Sequence, residues 1–514
     1  MTFGPQLTNG EYQCGRFDVQ QDGSISAAGY VDGTSMLLRM NTSGSPASAW
    51  RLTATGMGPR LITEVSGSTN NSTIVVLRDT ITSNGPGSSR RYFSIARVSS
   101  SGSVLWSTRH YIDVPADLIV PSDRNHLEAA PDGGFFLNTG EPSRPTLMKC
   151  GPSGTVLWVR ELISTDGAGR FRSLVADADG GCFFLAGDQP YPDTSAVVVG
   201  HFTADGVLDM ERVVRPSAQG RYLIPSHLIV RQNGHLLVTC TEVGGGQPGK
   251  DILLEMGTDG GMTGGWSCAH SSGNSLNMYR ALERSDGHLF VDLQYGGYGF
   301  AELDANGAVV RTDRFPYQPM GNALGVVEWQ QTMMRDDHLI VAGDYFIDEY
   351  DTGNDPSTDL LWDLNAFDPG FCGTDIVDID VQQLILDDLI SASAFTASPA
   401  SIGSASITVT SSTAALPQVL PFCGLWIGTE EPKSNTGPIV RPTLLSEGSP
   451  LSVSTPGRSM LEVLDTRGRL MHRANLNDGA ISEIATNGWS RGTYCVRTTG
   501  QDDAASHTVR IVIE

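Results

Sequence analysis

One stretch decides the fold: Asp179-Gly-Gly-Cys-Phe-Phe-Leu-Ala-Gly187. It joins a two-residue turn to an apolar run of the kind that forms a buried strand. Related copies begin at residues 22, 70, 132, 233, 286 and 336, which gives seven in all. Most open on Asp-Gly or Asn-Gly, the pairs that accept the positive φ of a tight hairpin turn. The repeat therefore predicts a series of β-hairpins.

A second phrase follows each copy and consists of an apolar strand, a small polar turn and another apolar strand. Its turns lie at residues 43–44, 101–102, 153–154, 205–206, 259–260, 306–307 and 369–370. The last strand of the phrase carries a tryptophan in four copies, at Trp50, Trp106, Trp158 and Trp266. We interpret these side chains as packing between neighbouring sheets, although a platform for stacking sugars is the alternative. Two phrases in register define a repeat of about 50 residues.

Each repeat reads as four short strands, and one such sheet cannot cover both of its faces. Stacked four-stranded repeats of this period close into radial β-propellers. The predicted fold is therefore all-β, with a seven-bladed propeller over residues 1–384; six or eight blades also fit the irregular first and last copies. The stretches Gly102–Trp106 and Gly154–Trp158 resemble the quinoprotein-like and kelch-like propellers of bacterial secreted proteins. That resemblance implies a fold and no particular activity.

Two further regions follow the propeller. Residues 385–440 form a connector and linker rich in Ser, Ala and Thr, with one strand-like run at residues 405–410. Residues 441–514 read as a small, separate β-sandwich. Three phrases mark it: Leu461-Glu-Val-Leu-Asp-Thr-Arg-Gly-Arg-Leu470, Trp489-Ser-Arg-Gly-Thr-Tyr-Cys-Val496 and His507-Thr-Val-Arg-Ile-Val-Ile-Glu514.

In this order, the three phrases resemble the type A sorting domain of the type IX secretion system of Bacteroidota. The opening departs from that family, because Arg441-Pro-Thr stands where a Pro-Asn-Pro motif is usual. The resemblance implies that residues 441–514 dock on outer-membrane secretion machinery, and that the protein is extracellular or lies on the outer cell surface. An immunoglobulin-like accessory domain is the alternative. The residues that carry the sorting signal by this resemblance are Asp465, Gly468, Gly492, Tyr494 and Arg510.

The charge balance excludes several classes of partner. The chain carries a net charge of −23 and has three lysines, so phosphate-dependent binding to nucleic acid is excluded. Attraction to an anionic membrane surface is excluded for the same reason. No apolar run reaches the roughly 20 residues of a membrane-spanning helix. Cys372 and Cys423 bracket the connector and are a disulfide candidate; two buried free thiols are the alternative.

The sequence contains no zinc-protease motif of the form His-Glu-Xxx-Xxx-His. A Gly-Xxx-Ser-Xxx-Gly pattern occurs once, at Gly488–Gly492, within a phrase that marks the small C-terminal domain. The predicted strand order instead gathers the long, variable loops on one face of the disc, where binding usually resides. The candidate ligand-binding residues on this face are Tyr111, Asp113, Tyr191, Tyr317, Tyr345 and Tyr350.

One predicted loop, residues 344–359, is rich in acids. Calcium takes six to eight oxygen ligands in irregular geometry. A calcium site is therefore predicted, with a plain solvated acidic loop as the alternative. Its candidate ligands are Asp348, Asp351, Asn354 and Asp355.

These features predict a non-enzymatic, exported protein that binds a glycan or a surface protein, or that builds an extracellular layer. The competing hypothesis is a secreted hydrolase or lyase, because acid–base pairs contributed by distant loops leave no local motif. Two carboxyl groups in a concave pocket, one with a raised pKa, would favour the enzyme.

Overall fold

The computed structural model is all-β, with one short 3-10 turn at Thr69–Asn71 in the part of the chain that it describes. The chain divides into two compact units, Met1–Leu420 and Pro421–Glu514. No described helix has the length and apolar character needed to cross a bilayer. The described residues are 2–3, 16–31, 34–42, 46–54, 62–83, 88–115, 127–138, 146–164, 170–187, 196–216, 218, 220–246, 249–270, 272, 276–294, 297–316, 318–320, 323–349, 357–365, 379–384, 386, 389–392, 395–399, 403–405, 409–413, 419–420, 439–441, 444–445, 450–454, 458–465, 469–477, 481–500 and 506–513.

Seven antiparallel sheets build the first unit, and we number them in chain order. The chain opens with β1 (Thr2–Phe3). Sheet 1 contains β2 (Arg16–Val19), β3 (Ile25–Val31), β4 (Thr34–Met40) and β5 (Pro46–Ala54). Sheet 2 contains β6 (Ile62–Ser68), β7 (Ser72–Ser83), β8 (Ser88–Val98) and β9 (Val104–Pro115). Sheet 3 contains β10 (Leu127–Ala129), β11 (Phe135–Asn138), β12 (Thr146–Cys150) and β13 (Val156–Ser164).

The remaining four sheets follow the same order. Sheet 4 contains β14 (Arg170–Ala176), β15 (Cys182–Gly187), β16 (Val197–Phe202) and β17 (Leu208–Pro216). Sheet 5 contains β18 (Arg221–Val230), β19 (Leu236–Gly244), β20 (Lys250–Met256) and β21 (Met262–His270). Sheet 6 contains β22 (Ala281–Glu283), β23 (Leu289–Gln294), β24 (Gly297–Leu303) and β25 (Val309–Pro316). Sheet 7 contains β26 (Gln318–Met320), β27 (Ala323–Arg335), β28 (His338–Glu349) and β29 (Ser357–Asn365).

The turn chemistry of the sequence explains the hairpins. In sheets 1 to 6 each predicted turn pair separates the first strand of its sheet from the second, and in sheet 7 it separates β27 from β28. Across one of these turns, the Ala130 N–H donates to Gly134 O at 2.9 Å. Where the repeat lacks glycine, Asn70, Asn71 and Asp337 take the positive φ instead. Asn and Asp tolerate this region better than other side chains do. The all-β class and its repeated four-stranded sheets are thereby confirmed.

Both faces of each sheet are buried, which explains the continuous apolar runs. Successive side chains of a strand point to opposite faces. In sheet 1, Leu37 packs against sheet 2 and Leu38 packs toward sheet 7. Similar shared cores join sheets 2 and 3, 3 and 4, 4 and 5, and 5 and 6. Thr332 of sheet 7 donates to Asp292 of sheet 6 at 2.8 Å. The seven sheets therefore form a closed ring.

Residues far apart in sequence complete the seventh sheet. β1 pairs with β29 through Thr2 and Leu360, so the start of the chain supplies the strand that follows β29 in this sheet. The sequence placed the corresponding turn at residues 369–370, which lie outside the described residues. A two-residue strand supplied by the start of the chain is too short to show a periodic pattern in the sequence.

After sheet 7, the chain runs back around the outside of the ring. This segment consists of six short strands: β30 (Ile379–Gln383), β31 (Leu389–Ala392), β32 (Phe395–Pro399), β33 (Gly403–Ala405), β34 (Val409–Thr413) and β35 (Val419–Leu420). They pair antiparallel with the outer strands of sheets 5, 4, 3, 2 and 1, and β35 pairs with β1. We call residues 379–420 the belt.

The second unit contains eight strands in two sheets. They are β36 (Ile439–Arg441), β37 (Leu444–Leu445), β38 (Leu451–Ser454), β39 (Ser459–Asp465), β40 (Leu470–Leu476), β41 (Ile481–Ile484), β42 (Gly492–Gly500) and β43 (Ser506–Ile513). The sheet orders are β36-β38-β41 and β37-β43-β42-β39-β40. One core joins the two sheets, with Leu451, Val463 and Val496 among its fully buried members. The rings of Trp489 and Tyr494 also belong to this core, and their centroids lie 5.2 Å apart.

Candidate functional site

A cavity of about 490 Å³ lies at the centre of the ring. One strand of every sheet faces it, which we call the inner strand: β2, β6, β10, β14, β18, β22 and β27 contact one another in that order, and β27 contacts β2. The cavity is charged instead of apolar. Its ionisable lining residues are Arg16, Asp18, Glu64, Glu128, Arg172, His227, Arg280 and Asp292.

The strand register shows that two of these lining residues, Asp18 and Glu128, occupy the same position of the repeat. Asp18 pairs with Ser26 and Glu128 with Phe136, each partner being the third residue after the turn glycine. The residues at the same repeat position in sheets 4, 5, 6 and 7 are Val175, Ile229, Leu282 and Met333, all apolar. In sheet 2 the position holds Ser66, opposite Ile74. Polar side chains thus occupy one arc of this layer, on sheets 1 to 3.

Asp18 is held rigidly in this arc. Its carboxylate accepts hydrogen bonds from Val19 N–H at 2.7 Å, from Gly67 N–H at 2.5 Å and from the Ser66 hydroxyl at 3.1 Å. Burial nevertheless raises the pKa of Asp18, with these three hydrogen bonds opposing the shift. Beside it, Arg16 Nε lies 3.3 Å from Glu64 Oε1, so sheets 1 and 2 are joined by an ion pair.

Glu128 has the more strongly perturbed carboxyl group. Burial raises the pKa of Glu128 to about 8, and the nearby charge of Asp18 raises it further. The N–H of Ala176 opposes the shift through a long hydrogen bond of 3.5 Å to Oε1. Glu128 is therefore mostly protonated at neutral pH, while ordinary glutamates are ionised.

The opposite wall carries a second perturbed group. Asp292 is 4% exposed, its Oδ2 accepts from Thr332, and burial raises its pKa to about 7 against the opposing effects of Arg280 and Thr332. Its Oδ1 has no hydrogen-bond partner among the described residues. Burial, with the charge of Arg280, lowers the pKa of His227 to about 3, so its imidazole is neutral. The cavity thus combines a mostly protonated carboxyl group at Glu128, a carboxyl group at Asp292 that titrates near neutral pH, a neutral imidazole and guanidinium groups.

Two of the predicted face residues lie together, away from the cavity. Tyr111 and Asp113 are on β9, at the outer side of sheet 2. The Arg90 guanidinium lies 4.0 Å from the Tyr111 ring centroid and donates to Asp113 at 2.7 Å. Tyr345 lies in β28, and Tyr191, Tyr317 and Tyr350 lie outside the described residues.

The predicted acidic loop is shorter than expected. Asp348 lies in β28, and Asp344 pairs with Asp359 across the β28–β29 hairpin, so both ends of the segment are strand. Asp351, Asn354 and Asp355 lie outside the described residues. No group of three metal-binding side chains occurs in the described part of the chain. The calcium site stays a prediction.

The predicted sorting residues lie on one sheet of the second unit. Asp465 ends β39 and accepts from Arg469 N–H at 2.9 Å, while Gly492 begins β42. Tyr494 is buried and donates to Ser490 O at 2.7 Å. Arg510 of β43 pairs with Cys495, and Gly468 lies outside the described residues. The disulfide candidates Cys372 and Cys423 also lie outside them. These contacts order the domain and do not by themselves identify a docking surface.

Sequence reasoning missed the cavity because it searched the loops. A signal was present: an acid at a strand position that other repeats fill with Val, Ile or Leu. This pattern can be recognised only once the repeats are aligned by their strand register.

The comparisons with known proteins found structural similarity at low identity. No family model and no curated protein matches the chain. PorZ, an essential bacterial surface component of the type-IX secretion system of Porphyromonas gingivalis, is 10% identical over 98% of this chain and 81% of its own, with a TM-score of 0.29. A protein of unknown function from Bacteroides caccae is 11% identical over 55% of this chain and 90% of its own, with a TM-score of 0.33. A polysaccharide lyase, the ulvan lyase of family PL25, is 9% identical over 70% of this chain and 94% of its own, with a TM-score of 0.39.

Proposed function

We propose that this chain is an exported, seven-bladed β-propeller that binds a ligand in its central cavity. The seven sheets that pack face to face in a closed ring support the propeller. The C-terminal sequence phrases support export, and the separate compact unit at residues 421–514 agrees with a sorting domain of β-sandwich type. The partner of residues 441–514 is then the type IX outer-membrane machinery, and the protein acts outside the cell or on its surface.

One observation carries the binding function: charged side chains line the interior of the ring. Burying an ionisable group is costly unless it is compensated, and contacts between sheets compensate only some of these groups: Asp292 Oδ1 has no hydrogen-bond partner among the described residues. Apolar residues fill the equivalent strand position in four sheets. The charged arc is therefore better explained by a ligand that it contacts, such as part of a glycan or of a surface protein.

A plugged cavity tests this proposal. Ser226 lines the cavity and is partly exposed, so Ser226→Trp fills the space. Leu105→Trp is the matched control, because Leu105 is an exposed residue on the outer strand β9. Oligosaccharides and basic or acidic peptides are screened for an increase in Tm. We expect each stabilising ligand to lose its effect in Ser226→Trp and to keep it in Leu105→Trp. Equal stabilisation of both variants would refute a cavity site.

A hydrolase or lyase is the second candidate, because Glu128 and Asp292 have pKa values close to neutral. General acid–base catalysis works best with groups that titrate near the working pH. The same screen separates the two functions if the mixtures are also analysed for cleaved product. A product formed by the wild type and by Leu105→Trp, and not by Ser226→Trp, would identify an enzyme.

A further inference from the structure

We infer that the cavity ligand carries a protonated amine, which is held between the carboxyl groups of Asp18 and Glu128. This inference rests on the proposed function of the cavity and adds the chemical class of the ligand. Both carboxyl groups line the same 490 Å³ space, from strands β2 and β10 that flank β6.

The repeat shows that these two acids are exceptions at their position. The same strand position holds Val175, Ile229, Leu282 and Met333 in other sheets. Both acids accept from a backbone N–H of the next sheet, yet both stay partly exposed on the cavity lining, where a cation can reach them. Ser66, between them in the register, already donates to Asp18 and orients its carboxylate.

The charge distribution favours a positive ligand group in this arc. Three carboxyl groups, those of Asp18, Glu64 and Glu128, lie on the inner strands of sheets 1 to 3. The guanidinium of Arg16 is committed to Glu64. Burial and the charge of Asp18 together raise the pKa of Glu128, with Arg172 also on the cavity lining. A cationic group between the two carboxyl groups would favour their ionised forms.

A second feature of the cavity also indicates a missing donor. Asp292 lines the opposite wall, is 4% exposed, and leaves Oδ1 without a hydrogen-bond partner among the described residues. Buried polar atoms are paired in most native structures, and exceptions often mark the place of a ligand or a water. An amine-bearing ligand long enough to span the cavity would bring donors to this wall as well.

An organic cation fits this cavity better than a metal ion does. Among the described residues, no group of three His, Cys, Asp or Glu side chains is placed to hold a metal ion. An ammonium group needs fewer contacts, because it donates three hydrogen bonds and keeps its charge at neutral pH. The amine can belong to a small diamine or to a lysine side chain of a peptide.

Binding of such a group is coupled to proton release. Glu128 is mostly protonated below pH 8, and a nearby cation favours its ionised form. The other ionisable groups around Glu128 are Asp18, Glu64, Arg172 and the buried thiol of Cys182, whose pKa is raised well above its usual value. Across the cavity, burial raises the pKa of Asp292 to about 7, so this carboxyl group titrates in the same range. Through Glu128, the Kd should fall about tenfold per pH unit between pH 6 and about 8 and level off above it.

Calorimetric titration of the full chain tests the inference. The probes are 1,5-diaminopentane and Nα-acetyl-lysine amide, and the Nε-acetylated form of the latter is the neutral control. Titrations at pH 7 in two buffers of different ionisation enthalpy measure the protons released. We expect both amines to bind with release of close to one proton, and the neutral control not to bind. Binding of one amine alone identifies the source as a free diamine or a lysine side chain.

Substitutions test which residues bind the amine. Glu128→Gln should abolish the tenfold fall in Kd per pH unit and weaken binding at pH 8.5 at least tenfold, and Asp18→Asn should weaken it similarly if Glu128→Gln does not fold. Asp205→Asn, an exposed turn acid of sheet 4, is the matched control and should bind like the wild type. Failure of both amines to bind, or binding without proton release, would overturn the inference. Neutral or anionic ligands that Ser226→Trp blocks would overturn it and leave the proposed function intact.

Discussion

At the residue scale, each tryptophan of the repeat joins two sheets. Trp266 Nε1 of sheet 5 donates to Asn306 O in a turn of sheet 6 at 2.8 Å, and Trp158 makes the same contact to Ala204 O at 2.8 Å. The indole of Trp266 lies so close to the turn that a Cβ on the turn residue Gly307 would overlap it. The glycine is thus required for its small size as well as for its positive φ.

Gly307→Ala and Gly234→Ala separate these two requirements. Both residues have positive φ, +85° and +82°, but nothing lies within 4 Å of a Cβ at Gly234. We expect Gly234→Ala to cost about 1–2 kcal/mol of unfolding free energy from backbone strain. Gly307→Ala should cost about 1–3 kcal/mol more from overpacking. Urea unfolding followed by tryptophan fluorescence measures both, and equal losses would show that the indole contact is unimportant.

The same residues show what the sequence could predict. The spacing of Gly and Trp indicated packing between sheets, because both belong to the repeat. Asp18 and Glu128 were passed over because they interrupt the repeat, and their pKa shifts depend on burial and on each other across two sheets. Periodicity identifies what every repeat shares, so a site built from exceptions is invisible until the register is known.

At the element scale, the belt covers strand edges that would otherwise be open. The outer strands β5, β9, β13, β17 and β21 each pair with one belt strand. Unpaired edges of this kind promote association with other chains. The sequence predicted a strand-like run at residues 405–410, and β33 and β34 lie at its two ends. It could not predict the partners, which lie hundreds of residues earlier and follow the reverse order.

Truncation tests the role of the belt. A chain ending at residue 378 lacks the belt and the second unit, and a chain ending at residue 420 lacks the second unit alone. We expect the shorter chain to aggregate and the longer chain to stay monomeric and cooperative, because its sheet edges remain paired. Light scattering and thermal unfolding compare the two. A chain ending at 378 that is as monomeric and as stable as its partner would show that the belt is dispensable.

At the scale of the whole molecule, the two compact units agree with a division of labour between the ring and residues 421–514. The core of the second unit is its own, with Leu451, Val463 and Val496 buried among residues of that unit. The ring likewise contains its cavity entirely within residues 16–334. Each unit therefore has a hydrophobic core of its own, as a separable sorting domain would require.

Deletion of residues 441–514 tests directly whether these residues direct export. In a Bacteroidota host with a type IX system, we expect the shortened chain to fold, because the ring and its belt are complete, and to remain in the periplasm. The readout is the fraction of protein in the medium or on the cell surface, with circular dichroism of the purified chain reporting the fold.

A reciprocal fusion of residues 421–514 to an unrelated folded protein should carry that protein out of the cell. Val463→Asp in the fusion is the matched control, since it places a charge in the core of the second unit and should retain the fusion inside. Unchanged export of the shortened chain would remove the sorting function from this unit, whatever the ring binds.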